Sequence, residues 1–146
     1  MSDINRKNFN SERKHKESEN IKLGISHGDI NGIGYEVMLK CFSDNRMFDF
    51  CTPILYGSSK IASYHKKLIN ATDFPFVNIR TVEQAEPNKF NILNIIQEEV
   101  KIDIGQATEI GGKLAAMSLD TACRDLMNGK IDALVTIVRS NIQSHI

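Results

Sequence analysis

From Ile21 the chain alternates: Ile21, Leu23 and Ile25 are apolar, and Lys22, Gly24 and Ser26 between them are polar or small. That period of two predicts a strand. Beyond a glycine-rich stretch at 27–34 the spacing changes, with Val37, Met38 and Cys41 at helical intervals, which predicts a helix from Tyr35 ending around 43–45. Residues 52–56 form a short apolar run with strand character, and Gly57-Ser58-Ser59 supplies a turn and an N-cap for a helix over about 60–69. Further strands are predicted at 74–79 and 90–96, separated by a polar loop that contains proline. The clearest helix runs over 112–128, with Ala115, Leu119, Ala122 and Leu126 on one face and Gly129 where a left-handed C-cap is needed. Residues 131–138 are continuous in aliphatic side chains and read as a buried parallel strand. Strand and helix alternation of this kind predicts an α/β layer fold with a largely parallel sheet.

Residues 1–20 carry almost no aliphatic side chains and are expected to form a disordered polar tail, leaving 21–146 as the folded α/β portion. With 146 residues, 41% hydrophobic and 25% charged, one domain with a real core is the expectation. The 18 basic and 18 acidic residues cancel, so composition offers no argument for nucleic acid or an anionic membrane as partner. Cys41, Cys51 and Cys123 are widely spaced and suggest neither a disulfide framework nor a zinc knuckle, which fits a reduced, cytoplasmic setting. The start of the chain lacks an apolar core of the secretory kind, and no later apolar run reaches membrane-spanning length.

The chemistry gathers at Gly28-Asp29-Ile30-Asn31-Gly32-Ile33-Gly34. A strand, a glycine-rich turn and a helix in succession present backbone N–H groups at a helix amino terminus, where a phosphate or carboxylate is stabilised. In open α/β sheets such loops lie at the carboxyl ends of strands, where ligands bind. The spacing matches neither the dinucleotide fingerprint nor the phosphate loop ending in Gly-Lys-Ser/Thr. A purely structural alternative therefore stands beside it: glycines that permit the turn, with Asp29 and Asn31 hydrogen-bonding their own backbone.

The string HGDINGIGYEVMLK resembles the opening motif of 4-hydroxythreonine-4-phosphate dehydrogenases, usually Gly-Asp-Pro-Ala-Gly-Ile-Gly-Pro-Glu after the first strand. Asp29, Gly32, Ile33, Gly34 and Glu36 stand at shared positions, Ile30-Asn31 replaces Pro-Ala, and Tyr35 replaces the second proline. A looser similarity links it to isocitrate and isopropylmalate dehydrogenases, which share that fold. Gly111-Gly112-Lys113-Leu114-Ala115-Ala116, followed by a strand reading Asp132-Ala133-Leu134-Val135-Thr136, resembles the family's second landmark and argues against the isocitrate type.

The resemblance implies part of an isocitrate/isopropylmalate dehydrogenase-like fold and oxidation of 4-phosphooxy-threonine with NAD or NADP, followed by decarboxylation, on the way to pyridoxal 5'-phosphate. It further implies a divalent metal, a phosphorylated small-molecule substrate and a homodimer. Gly28, Asp29, Asn31, Gly32, Gly34, Glu36 and Thr136 are the expected active-site vicinity. The family's metal-binding histidines and its His-Thr pair have no counterpart here: after Thr136 the chain reads Ile137-Val138-Arg139-Ser140 and ends at Ile146. Arg139 does not replace the lysine usual there, because the two cations differ in geometry. The expectation is a truncated amino-terminal portion, inactive on its own, or alternatively a non-catalytic anion- or nucleotide-binding module. His15 and His145 are expected to be solvated or frayed, His65 to lie on a solvated helix face, and His27 to be a polar loop residue. Cys41 and Cys51 are expected to be small buried hydrophobes.

Overall fold

A computed structural model describes residues 20–71 and 73–137. Residues 1–19 of the expected tail, His15 included, Arg139 and His145 lie outside the described residues, while Asn20, the tail's last residue, donates from Nδ2 to the Phe48 carbonyl at 2.8 Å. Strands β1 (Ile21–Ser26), β2 (Cys51–Gly57), β3 (Val77–Ile79), β4 (Asn91–Asn94) and β5 (Ala133–Thr136) form one sheet in the order β3-β4-β2-β1-β5. Every neighbouring pair is parallel, as the alternation of elements predicts. Helices α1 (Gly34–Phe42), α2 (Ser59–Leu68) and α3 (Glu109–Met127) make the crossovers between β1 and β2, within β2 to β3, and from β4 to β5.

Side-chain alternation on the central strands feeds two cores. Ile25, Leu55 and Ile92 point to one face, where Tyr35, Met38, Leu39 and Phe42 of α1 and Ile61 and Ala62 of α2 cover them. Ile54, Tyr56 and Leu93 point to the other, packed with Ala122 of α3 and with Ile131. Each such buried aliphatic or aromatic side chain contributes roughly 1.5–3 kcal/mol by leaving water. Ser58 caps α2 through its hydroxyl, as its sequence position suggests, and Gly129 closes α3 with φ +73°.

Several expectations change. β5 is an edge strand, not a buried one: Ile131 is buried but lies before it, and Val135 is 46% exposed. Its aliphatic run reads as interior because half of it packs on β1, and β1 is its sole strand neighbour among the described residues. α3 begins at Glu109, where the Thr108 hydroxyl accepts from the Gly111 N–H, not at Gly112. Its inward face is Gly111, Leu114, Ser118 and Ala122, rotated from the apolar set read in sequence, which leaves Leu119 and Leu126 outside. A serine hides this face from a hydrophobicity count. Cys41 is exposed because Tyr35, Met38, Leu39 and Phe42 take the inward stripe of α1; Cys51 is buried as expected. β3 and β4 occupy only parts of the segments read as strands.

Candidate functional site

Parallel strands bring their carboxyl ends to one edge of the sheet. There the two sequence landmarks, about a hundred residues apart, become neighbours: β1 and β5 pair with Ser26 opposite Thr136, and the Ile137 N–H donates to the Ser26 carbonyl at 3.2 Å. Gly28 follows at φ +69°, and a Cβ there would collide with the Ile137 carbonyl oxygen. Only glycine meets both demands, the left-handed backbone and the close approach.

The loop that Gly28 opens is internally bonded. The Gly32 N–H donates to the Asp29 carbonyl and the Asn31 N–H to Asp29 Oδ1, both at 3.0 Å, as the structural alternative anticipates. Asn31 is fully buried and ties the loop to the segment before α3. Its Nδ2 donates to Thr108 Oγ1 at 2.9 Å, its Oδ1 accepts from the Asp103 N–H at 2.8 Å, and its carbonyl accepts from the Gly105 N–H at 2.8 Å. Asn31 is therefore turned inward, and its side-chain amide serves the fold.

These bonds draw the amino terminus of α3 against the loop. A Cβ on Gly111 would stand 2.9 Å from Thr108 Oγ1, 3.0 Å from Asp29 Oδ1 and 3.1 Å from Asn31 Nδ2, so glycine suits the close approach. The amino terminus of α3 lies against Asp29, and its dipole favours negative charge there; α1 starts at Gly34, at the end of the same loop. Glu36, also in the first turn of α1, pairs with Lys40 at 2.9 Å on the surface. Thr136 is exposed at the end of β5. Gly28, Asp29, Gly32, Gly34 and Thr136 thus share one edge, Asn31 lies beneath it, and Glu36 is engaged with Lys40.

Sequence reasoning missed three contributors. His27 is a polar residue of the loop, as expected, but it is fully buried: its Nδ1 meets the Gly28 carbonyl at 2.6 Å, and burial above all pushes its pKa down to about 4. His65 is 3% exposed, correcting the expected solvated face, because it follows Ile61 and Ala62 on the inward stripe of α2. Its Nε2 meets the Ile30 carbonyl at 2.8 Å, and burial lowers its pKa as well. Ser118 joins α3 to two strands, accepting from the His27 N–H at 3.1 Å and donating to the Tyr56 carbonyl at 2.6 Å. The periodicity of Ile61, Ala62 and His65 was the available signal for His65; Lys66 and Lys67 obscured it.

A separate open cavity of about 530 Å³, floored by Phe42, Phe74 and Phe90, lies at the amino ends of β2 and β4. It is on the wrong edge for ligands of an open α/β sheet. Among the described residues, no group of three or more His, Cys, Asp or Glu side chains is placed to hold a metal ion, and no helix is long and apolar enough to cross a membrane.

The family model described as pyridoxal phosphate biosynthetic protein PdxA matches residues 49–144. The chain belongs to this family. A 4-hydroxythreonine-4-phosphate dehydrogenase from Bacteroides thetaiotaomicron is 42% identical over 131 residues, which are 88% of this chain and 35% of the relative. A relative from Clostridium botulinum, whose name refers to D-threonate 4-phosphate dehydrogenase, is 28% identical over 78% of this chain and 35% of its own length. The chain thus spans about a third of the length of the curated relatives it matches. The crystal structure of a 4-hydroxythreonine-4-phosphate dehydrogenase from Burkholderia phymatum superposes with a TM-score of 0.75 at 22% identity, covering 86% of this chain and 39% of that one. The family and the parallel α/β fold expected from the two motifs are both borne out.

Proposed function

We propose that the Gly28–Gly34 loop, the amino terminus of α3 and Thr136 form one wall of a dehydrogenase site that acts on 4-phosphooxy-threonine with NAD or NADP, within pyridoxal 5'-phosphate biosynthesis in the cytoplasm. The observation that supports it is the meeting of the two family landmarks at the carboxyl edge of the sheet, with Ser26 paired to Thr136 and the Ile137 carbonyl seated on Gly28. The helix amino termini that border the wall are the kind of donor a phosphate takes, at a distance from the Asp29 carboxylate. The Asp29 carboxylate already takes one of the loop's own N–H groups, so Asp29 is assigned to orienting a substrate hydroxyl or ribose rather than receiving the phosphate.

When bound, a nicotinamide supplies the acceptor for hydride. This chain's residues bind and orient: Gly32 lets the backbone approach the ligand, Gly34 makes room for the Ile137 side chain behind the loop, and the Thr136 hydroxyl offers a donor and an acceptor at the rim. Among the described residues no group of three or more His, Cys, Asp or Glu side chains is placed to hold a divalent metal, and no step here is routed through one. We assign no turnover to the 146-residue chain alone, and the homodimer belongs to the same proposal.

The purified chain should produce no measurable NADH or NADPH from 4-phosphooxy-threonine. Turnover would overturn that assignment. D-threonate 4-phosphate, which shares the four-carbon skeleton and terminal phosphate, serves as the competing substrate. Calorimetric titration with NAD, NADP and inorganic phosphate reports on the wall itself: saturable heat supports it, and no saturable heat with any of the three overturns it.

A further inference from the structure

Two buried histidines grip the glycine loop from different elements. His27, directly after β1, meets the Gly28 carbonyl through Nδ1 at 2.6 Å; His65, on α2, meets the Ile30 carbonyl through Nε2 at 2.8 Å. A carbonyl only accepts, so each of these nitrogens carries the hydrogen. Burial lowers both pKa values, which leaves one proton per ring and lets the hydrogen bond select the tautomer. Between the two rings lies Tyr35, stacked on His65 at 5.0 Å with an interplanar angle of 4° and tilted 32° to His27 at 5.5 Å. The proton placement leaves Nε2 of His27 bare, and that atom has no hydrogen-bond partner among the described residues. Tyr35 also occupies a position where the family string carries proline, so the ring stack stands where a stiff backbone residue is usual.

We propose that His27 and His65 are positioning residues for the glycine loop, clamping the Gly28 and Ile30 carbonyls through opposite tautomers, Nδ1–H in His27 and Nε2–H in His65. The term positioning rests on the loop being a ligand loop; tautomers and loop order are read without ligand, so the two ideas fail separately.

The test uses the full 146-residue chain with ¹⁵N-labelled histidine at neutral pH, where NMR distinguishes a protonated ring nitrogen from a bare one. Opposite tautomers in His27 and His65 are expected; Nε2–H in both rings, or averaging in His27, overturns the clamp. Isosteric variants add a second readout, since an asparagine amide nitrogen sits near the place of Nδ1 and a glutamine amide nitrogen near that of Nε2. His27→Asn and His65→Gln should keep hydrogen-exchange protection of the Asn31 and Gly32 amides. His27→Gln and His65→Asn should speed that exchange about tenfold, the equivalent of one lost net hydrogen bond. Equal exchange in His27→Asn and His27→Gln would overturn the proposal. If the variants do not fold, the wild-type spectrum decides it.

Discussion

Acidification should cost this fold stability in a window set by His27. Its ring is fully buried, and burial, opposed by the Gly28 carbonyl and by the Asp29 charge, holds its pKa at about 4 against an ordinary 6.5. The native state therefore resists protonation that the unfolded chain accepts. With the folded pKa depressed, a neutral histidine contributes its full share above about pH 6.5, and the share is lost as pH falls toward 4. A displacement from 6.5 to about 4 corresponds to about 3 kcal/mol in total, of which about 2 kcal/mol disappears between pH 7 and pH 5. His65 shifts in the same direction and steepens the loss. Asp44 and Glu83, whose carboxylates are held low in the native state, weaken the fold only at more acid pH. Urea unfolding followed by far-ultraviolet circular dichroism at half-unit steps from pH 7.5 to 4.5 measures the slope in the wild type and in His27→Asn. The wild-type curve should fall and the variant curve should fall about 2 kcal/mol less by pH 5. Parallel curves would refute the reasoning.

Other outcomes follow from the loop and the sheet edge. Asn31→Ala removes two side-chain hydrogen bonds, to Thr108 and to the Asp103 N–H, and should destabilise by about 1–3 kcal/mol in the same unfolding assay. Thr108→Ala should lose about 1 kcal/mol as a cap, and the double variant should lose less than the sum, because Asn31 and Thr108 share a bond. Gly28→Ala meets both a positive φ and the Ile137 carbonyl, so a loss of about 2 kcal/mol or more is expected in thermal melts. Val135→Lys on β5 should leave the melting temperature nearly unchanged, since the side chain is 46% exposed; a drop of many degrees in thermal melts would contradict the edge placement.

The elements of the sheet were legible because period-two runs such as Ile21, Leu23 and Ile25, bounded by Gly57-Ser58 or by the glycine loop, mark strand ends directly. What local pattern does not carry is which neighbour an element meets. Residues 131–138 look interior by composition, yet strand order places β5 at the edge. The inward face of α3 was misjudged because its central residue, Ser118, is polar and buried for its bonds to His27 and Tyr56. The burial of His65 and of His27 is hidden for a related reason: a histidine followed by two lysines or by a glycine loop looks hydrated, and only the fold reveals a carbonyl waiting for each ring. At the site, the glycines were readable from the motif, while the partner that requires Gly28, the Ile137 carbonyl, lies more than a hundred residues away.

The central claim, that the glycine loop, the start of α3 and Thr136 form a ligand-binding wall at the carboxyl edge of the sheet, is tested most directly by amide chemical-shift mapping of the ¹⁵N-labelled chain during titration with NAD and with 4-phosphooxy-threonine. Saturable shifts concentrated at residues 28–36, 108–111 and 136–137 are predicted. Shifts confined to the aromatic cavity lined by Phe42, Phe74 and Phe90 at the opposite edge, or no shifts at millimolar ligand, would contradict it.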